Sequence, residues 1–431
     1  MNIRLITAAI LGLLGANAMA AEAAPGPIVL HCAKVFDSTS GTMRGETTIL
    51  IENGRISSML DGHVSPEKRQ AEYNTPGITC LPGMIDSHTH LTFETSPTGF
   101  TDQFRWNVAD YAIRSTVYAR RTLTAGFTSV RDLGDSNNTS IALRNAVNAG
   151  IVPGPRIFAA GVPIGSTGGH ADGTDGYRAD LQGDPGPKQG IINGPDDARK
   201  AVRQHYKDGA DLIKIMPSGG VLDESSSPDN AQMTIEEIKA VVAAAHDYGF
   251  TVAAHAHGAE AIRRAVIAGV DSIEHGTFMT EEDMKLMKEH GTWYVPTIIA
   301  GRYVAEMAAV PGYYPPQVAA KALKVGPVIQ KTAGRAYKAG VKIAFGTDAA
   351  VYPHGQNAKE LEYMVEAGMP NAYVLQTATT HAAELLKQST DIGSLEVGKY
   401  ADIIGVRGDP LADISVMQHV EFVMKGGVIF K

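Results

Sequence analysis

The apolar positions of this 431-residue chain follow two rhythms. From Pro27 to Cys80 they alternate with polar ones, in IVLHCAKVF and TTILIENGRISSML, which predicts short strands, and Asn53-Gly54 predicts the hairpin turn between two of them. The alternation returns only near the end, where GSLEVGKYADIIGVRG and VEFVMKGGVIF read as strands with Gly-Gly turns. Between Leu81 and about Leu386 the rhythm changes. Eight apolar runs (PGMIDSHTH, GFTSVRDLG, RIFAAGVPI, DLIKIMPSG, FTVAAHAHG, DSIEHGTF, TWYVPTII and VKIAFGTDA) are separated by stretches of helical period. Thr234 with Glu237, and Thr280 with Asp283, read as capping boxes, and Gly249, Gly269, Gly291 and Gly340 stand where helices should stop. Strand and helix alternating eight times predicts an α/β fold, a parallel (β/α)8 TIM barrel over residues 81–389. The flanking segments, residues 21–80 and 390–431, pack most simply as one small β-sandwich built from both chain ends. A doubly wound open sheet is the alternative.

The ends and the charge narrow the class further. Residues 1–20 carry Arg4, an apolar run from Leu5 to Leu14, and then Ala18-Met19-Ala20, the layout of a secretory signal peptide cleaved at or near Ala20. An uncleaved membrane anchor is the alternative. No later stretch reaches the roughly 20 uninterrupted apolar residues of a membrane span, so an exported protein, periplasmic or secreted, is expected. The net charge of −8, without blocks of like charge, offers no footprint for nucleic acid or an anionic membrane, and a small-molecule substrate is expected. Cys32 and Cys80 fall in strand-like segments of the same small module, where they either pair or remain free buried thiols.

Candidate chemistry sits at the tips of the apolar runs. His88 and His90 are two apart on a strand, so both side chains project to one side and can grip one ion. Lys214 lies in DLIKIMP, where a charged ammonium buried on both faces would be costly. It either pairs with a carboxylate or loses its proton and takes up carbon dioxide as a metal-bridging carbamate. His255 and His257 end one run, His275 the next, and Asp348 the last, where a carboxylate can ligate metal and exchange protons with water. A metal pair so held makes hydroxide at neutral pH, which points to hydrolysis. Two long Gly/Asp/Pro-rich connections, residues 165–195 and 217–230, follow strands and read as binding loops on the same face. Ser218 and Gly219 are placed to offer backbone N–H groups to a substrate carboxylate, with Arg131 a second choice. Trp293, Tyr294, Tyr303 and Phe278 are the aromatics expected near an acyl pocket.

Together with LPGMIDSHTHL, GFTSVRDLG, GGH, IKIMPSGGV, AAHAHG, SIEHGT and FGTDA, this order resembles the amidohydrolase superfamily over nearly the whole mature chain. Within it, the chain is similar to the subgroup related to imidazolonepropionase that includes Xaa-Pro dipeptidases, and to bacterial ochratoxin-hydrolysing amidohydrolases. The resemblance implies two zinc ions: His88, His90 and Asp348 on one, His255 and His275 on the other, and carboxylated Lys214 between them. It implies that Asp348 shuttles the proton and that His170 contacts substrate, while His257 either stabilises the carbonyl oxygen as it becomes anionic or only stands behind the ligands. It further implies release of the C-terminal amino acid from an N-acyl amino acid or dipeptide, ochratoxin A among them, by a homo-oligomer, up to an octamer. A cyclic-amide, lactone or phosphotriester hydrolase, or a non-catalytic periplasmic zinc-binding protein, are the competing readings.

Overall fold

The computed structural model describes residues 27–65 and 71–431. The expected leader lies outside the described residues. Five strands open the described chain: β1 (Ile28–Asp37), β2 (Thr42–Arg44), β3 (Thr47–Glu52), β4 (Arg55–Asp61) and β5 (Ala71–Pro82). Three strands close it, β15 (Ile403–Arg407), β16 (Val420–Lys425) and β17 (Val428–Ile429). All eight join in one sheet of order β17-β16-β15-β5-β1-β3-β4, with β2 on the outer half of β1. The seam between the two ends of the chain is the antiparallel pair β5–β15, in which Cys80 faces Gly405. The sheet curls around one apolar core fed by both halves, including Leu30, Ile49 and Ile56 from one and Ile403 and Met424 from the other. Its curl brings the Asn53-Gly54 turn against the Gly426-Gly427 turn. A Cβ on Gly54 would lie 2.7 Å from the Gly426 carbonyl oxygen, and the φ of +75° there also favours glycine. Cys32 and Cys80 are disulfide-bonded, with Cα atoms 5.8 Å apart. Of the run GSLEVGKYADIIGVRG only Ile403–Arg407 is strand; residues 393–402 are mainly turns, consistent with their Gly393, Gly398 and charged positions.

The barrel lies between these ends. Its parallel strands are β6 (Met84–Thr89), β7 (Phe127–Asp132), β8 (Arg156–Ala159), β11 (Ile213–Ile215), β12 (Val252–Ala256), β13 (Ser272–His275) and β14 (Trp293–Val295). The short pair β9 (Gly165–Ser166) and β10 (Ile191–Ile192) brackets the loop after β8. The eighth run, VKIAFGTDA, has no regular strand. It closes the circle through single bridges, Ile343 to Tyr294 and Ala349 to Thr89, while Ile164 and Ile215 bridge β8 to β11. The departure is local: Asp348 has a φ of +60° and Ala350 of +122°, which a regular ladder does not accommodate. The run TWYVPTII is strand only over Trp293–Val295, because Pro296 has no N–H for the ladder and a helix begins at Ile298.

The helices around the barrel begin and end where their polar residues dictate. Thr234 accepts from the Glu237 amide at 3.3 Å while Glu237 accepts from the Thr234 amide at 2.8 Å, and Thr280 and Asp283 repeat the pattern. Gly269, Gly291 and Gly340 cap helices in the left-handed region. Among the described residues no helix is long and apolar enough to cross a membrane.

Candidate active site

Parallel strands of a barrel deliver their carboxyl-terminal residues to one mouth. Here β6, β11, β12, β13 and the eighth segment bring His88, His90, Lys214, His255, His257, His275 and Asp348 there, and all but His90 and Asp348 are buried. The donor atoms form two sets: His88, His90 and Asp348 in one, and His255, His257 and His275 in the other, with the atoms of each set within 4.8 Å of one another. In the first, Asp348 Oδ1 lies 3.4 Å from His88 Nε2 and 3.3 Å from His90 Nε2. Lys214 Nζ is 3.5 Å from His88 Nε2. His275 and Asp348 both sit at positive φ, +69° and +60°, a backbone cost found where surrounding structure fixes a functional side chain.

The hydrogen bonds behind the rings decide what the rings present. His88 donates from Nδ1 to Glu274 at 2.9 Å, His90 from Nδ1 to the Gly134 carbonyl at 2.7 Å, and His255 from Nε2 to the Gly219 carbonyl at 3.2 Å. Each therefore turns a lone pair toward its set. His275 and His257 anchor their Nδ1 atoms on Thr297 and Thr277, both at 2.8 Å. Burial, aided by Lys214, pushes His88 down to about 4, and burial with neighbouring His170 pushes His257 down to about 3. His255 and His275 are held well below their ordinary range by burial and by the facing histidines. Burial alone would raise Asp348, but His88, His90 and Lys214 hold its carboxyl well below the usual range. Neutral rings converging lone pairs on one another and on a carboxylate repel unless a cation sits among them. With every outer nitrogen anchored, the donor sets fit divalent metal.

Several expected site residues have other work. Arg131 is 1 % exposed and binds Glu274 at 2.8 Å, the Ser87 carbonyl at 2.6 Å and Ser272 at 3.1 Å, so it braces the anchor of His88 and reaches no substrate carboxylate. The Gly219 amide donates to the Asn230 carbonyl at 3.3 Å, and the Ser218 hydroxyl donates to the Gly219 carbonyl while accepting from the His257 amide at 3.0 Å. The turn after β11 is thus closed on itself and does not offer the expected Ser218 and Gly219 cradle; its role is to hold His255 and His257. Trp293 stands at the amino end of β14, away from the mouth, and Tyr294 is core with its hydroxyl on the His275 carbonyl. Phe278 is half-buried against the ammonium of Lys324, and Tyr303 is half-buried near Tyr313 and Tyr352.

His170 does reach the site. Its ring centroid is 4.5 Å from that of His255, and Nδ1 meets Asp223 at 2.6 Å. A Cβ on Gly220 would lie 2.0 Å from the His170 ring, so only glycine admits it. Lys321 ties the loop below by contacts to Asp223 Oδ1 at 3.0 Å and to the carbonyls of Gly220, Asp223 and Ser226. Sequence reasoning missed Glu274, Asp223, Lys321, Thr277 and Thr297. Glu274 had a signal, a carboxylate inside the buried strand SIEH next to a metal-type histidine; the others are ordinary loop and helix residues whose partners lie far away in the chain.

The amidohydrolase family model matches residues 79–430, from the β5–β15 seam through the entire barrel. The chain belongs to the amidohydrolase family. This amidohydrolase is 34% identical to the ochratoxinase of Aspergillus niger over 381 residues, 84% of this chain and 77% of that one. The crystal structure of A. niger ochratoxinase superposes with a TM-score of 0.81 at 29% identity, covering 94% and 96% of the two chains. A Xaa-Pro dipeptidase solved with methionine bound in its active site is similar at 47% identity and a TM-score of 0.91, over 94% of this chain and 99% of that one. A prolidase complexed with N-methylphosphonate-L-proline is similar at 33% identity and a TM-score of 0.85, with coverage of 94% and 99%. The amidohydrolase is a metal-dependent hydrolase acting on amide bonds, built as a TIM barrel with a β-rich domain.

Proposed function

We propose that this amidohydrolase holds two zinc ions and removes the C-terminal amino acid from N-acyl amino acids or dipeptides, splitting ochratoxin A into ochratoxin α and phenylalanine among other substrates. Lys214 carries the reading. Its amine is buried against the lone pair of His88, and among the described residues no carboxylate oxygen comes within 4.0 Å of it. Burial, against the pull of Glu274 and Asp348, pushes it down to about 8. An unprotonated amine there adds to carbon dioxide: an N–C bond forms, one N–H proton leaves, and the carbamate gains two metal-binding oxygens. His88, His90 and Asp348 would then hold one ion, His255 and His275 the other, and carboxylated Lys214 both. Such a pair supplies water with a pKa lowered toward about 7 and polarises the scissile carbonyl.

The chain's own groups do the rest. Asp348, kept ionised, accepts the proton of the attacking water on the carboxylate oxygen that is not turned to His88 and His90 and returns it to the leaving nitrogen. His257 stays neutral; in the tautomer where the Thr277 hydroxyl donates to Nδ1, its Nε2 carries the hydrogen and serves the carbonyl oxygen as negative charge develops, which leaves His255 and His275 as the ligands of the second set. Asp223 orients the ring of His170 through Nδ1, which gives the substrate carboxylate a partner in place of the closed Ser218-Gly219 turn. The names of the relatives, an ochratoxinase and a Xaa-Pro dipeptidase, support amides with a free carboxylate on the leaving side. We place the enzyme in the periplasm or outside the cell, as a homo-oligomer up to an octamer; the Cys32–Cys80 bond fits an oxidising compartment.

Zinc-loaded protein incubated with N-acyl amino acids, Xaa-Pro dipeptides and ochratoxin A is expected to release the free amino acid, identified by mass, and to lose turnover when the carboxylate is amidated. Turnover of esters or lactones alone, or indifference to the amidated carboxylate, would place the enzyme among the cyclic-substrate hydrolases of its family.

A further inference from the structure

Outside the barrel, the curled sheet brings together His31 of β1, His63 just after β4 and Glu72 of β5, whose donor atoms all lie within 4.8 Å of one another. His31 is 3 % exposed, whereas His63 and Glu72 face solvent. Glu72 Oε1 is 3.1 Å from His31 Nε2 and 3.9 Å from His63 Nε2, and the two rings stack with centroids 3.8 Å apart.

The bonding of Thr48 fixes which nitrogen of His31 carries hydrogen. The Thr48 hydroxyl has one proton, and it goes to the Gly62 carbonyl at 2.7 Å. Thr48 Oγ1 is therefore the acceptor both for the Val64 amide at 3.0 Å and for His31 Nδ1 at 3.0 Å. With Nδ1 protonated, a neutral His31 turns the lone pair of Nε2 straight at a carboxylate oxygen, and His63 aims its Nε2 at that same oxygen. Two acceptors cannot share 3.1 Å without a proton or a cation. One proton on His31 Nε2 would satisfy the 3.1 Å contact but leave His63 unpartnered at 3.9 Å, and protonating both rings would stack two like charges 3.8 Å apart. A single divalent cation resolves all three contacts and leaves the anchored Nδ1 of His31 in the orientation seen behind metal-bound histidines.

We infer that His31, His63 and Glu72 form a separate divalent-metal site on the β-sheet domain, suited by its imidazole–imidazole–carboxylate set to zinc or a neighbouring transition ion. Zinc lies roughly 2.0–2.2 Å from histidine nitrogen and carboxylate oxygen, so His63 must draw closer to Glu72 than it now stands. Its exposed position beyond the end of β4 leaves room for that. The inference rests on β1, β3, β5 and the residues just after β4 and is independent of what the barrel mouth binds.

The test compares zinc content after equilibrium dialysis of the wild type, His63→Ala and Glu72→Gln, both changes being at exposed positions, with amide hydrolysis measured on the same samples. The wild type is expected to retain one zinc equivalent per chain more than either variant, with hydrolysis equal in all three. A tetrahedral cobalt absorption band lost in both variants, beyond the signal from the barrel, is the matching spectroscopic result. Equal metal content in all three proteins overturns the site; if Glu72→Gln then lowers only the melting temperature, the cluster is an imidazolium–carboxylate pair.

Discussion

At the scale of single residues, the site depends on how its buried charges are partnered. Glu274 accepts from Arg131, His88 and Ser272 at once; burial would raise it, but Arg131 and His88 hold it at about 2. Removing its charge frees the tautomer of His88. Glu274→Gln is expected to lower metal affinity, read by zinc titration, and hydrolysis by about 10–100-fold. Arg131→Met leaves Glu274 buried without its cation and should cost about 3–5 kcal/mol in chemical denaturation. Because Arg131 touches no substrate, the ratio of KM for a free-carboxylate substrate to that of its amidated analogue should stay at the wild-type value; a selective rise in KM for the free acid would restore Arg131 as the carboxylate anchor. The histidines, Lys214 and Asp348 were legible one at a time because each ends an apolar run. Their outer partners were not, since a hydroxyl such as Thr277 or Thr297 looks like any turn residue until the fold sets it behind a ring.

At the scale of elements, the loop after β11 and the disulfide decide how firmly the mouth and the small domain are held. Gly220→Ala pushes a methyl group into the His170 ring, a clash that overpacked sites meet at about 1–3 kcal/mol. The expected result is a higher KM with a smaller change in kcat, measured on N-acyl amino acids, as His170 swings from its place. The Cys32–Cys80 bond closes a separation of 48 residues, for which chain entropy gives about 4 kcal/mol, so Cys32→Ala/Cys80→Ala protein should melt lower with the barrel chemistry retained. Strand positions were read well from apolar runs and turn signals, and helix starts from Thr-x-x-Glu and Thr-x-x-Asp. The eighth run reads as a regular strand because its composition is apolar; in the fold it pairs only through bridges at Ile343 and Ala349, and it ends in the positive φ of Asp348 at the site. The inward closure of Ser218 and Gly219 was equally invisible, because it depends on Asn230 and on Lys321 from a helix about a hundred residues on.

At the scale of the whole molecule, the sheet built from both ends and the barrel between them share one continuous interior across the β5–β15 seam, with Leu81, Ile404 and Val420 in the barrel's core cluster. Acid should weaken this assembly through Glu274. Glu274 is held down from 4.5 to about 2 in the folded chain, so its contribution is fully present above about pH 4.5 and fades as pH falls toward 2. Metal-free protein followed by circular dichroism should lose stability across that window, and Glu274→Gln should flatten the loss. The order HxH, Lys, His, His, Asp told of the mouth because five strands of a closed barrel converge there; the His31, His63 and Glu72 cluster gave no such order, being assembled by the curl of a sheet. The most direct measurement for the barrel mouth is anomalous diffraction at the zinc edge from crystals of active, zinc-loaded enzyme. Two peaks roughly 3.5–4 Å apart are expected, with density running from Lys214 Nζ to both. A single peak, or a bare Lys214 amine beside two ions, would contradict the bridged pair.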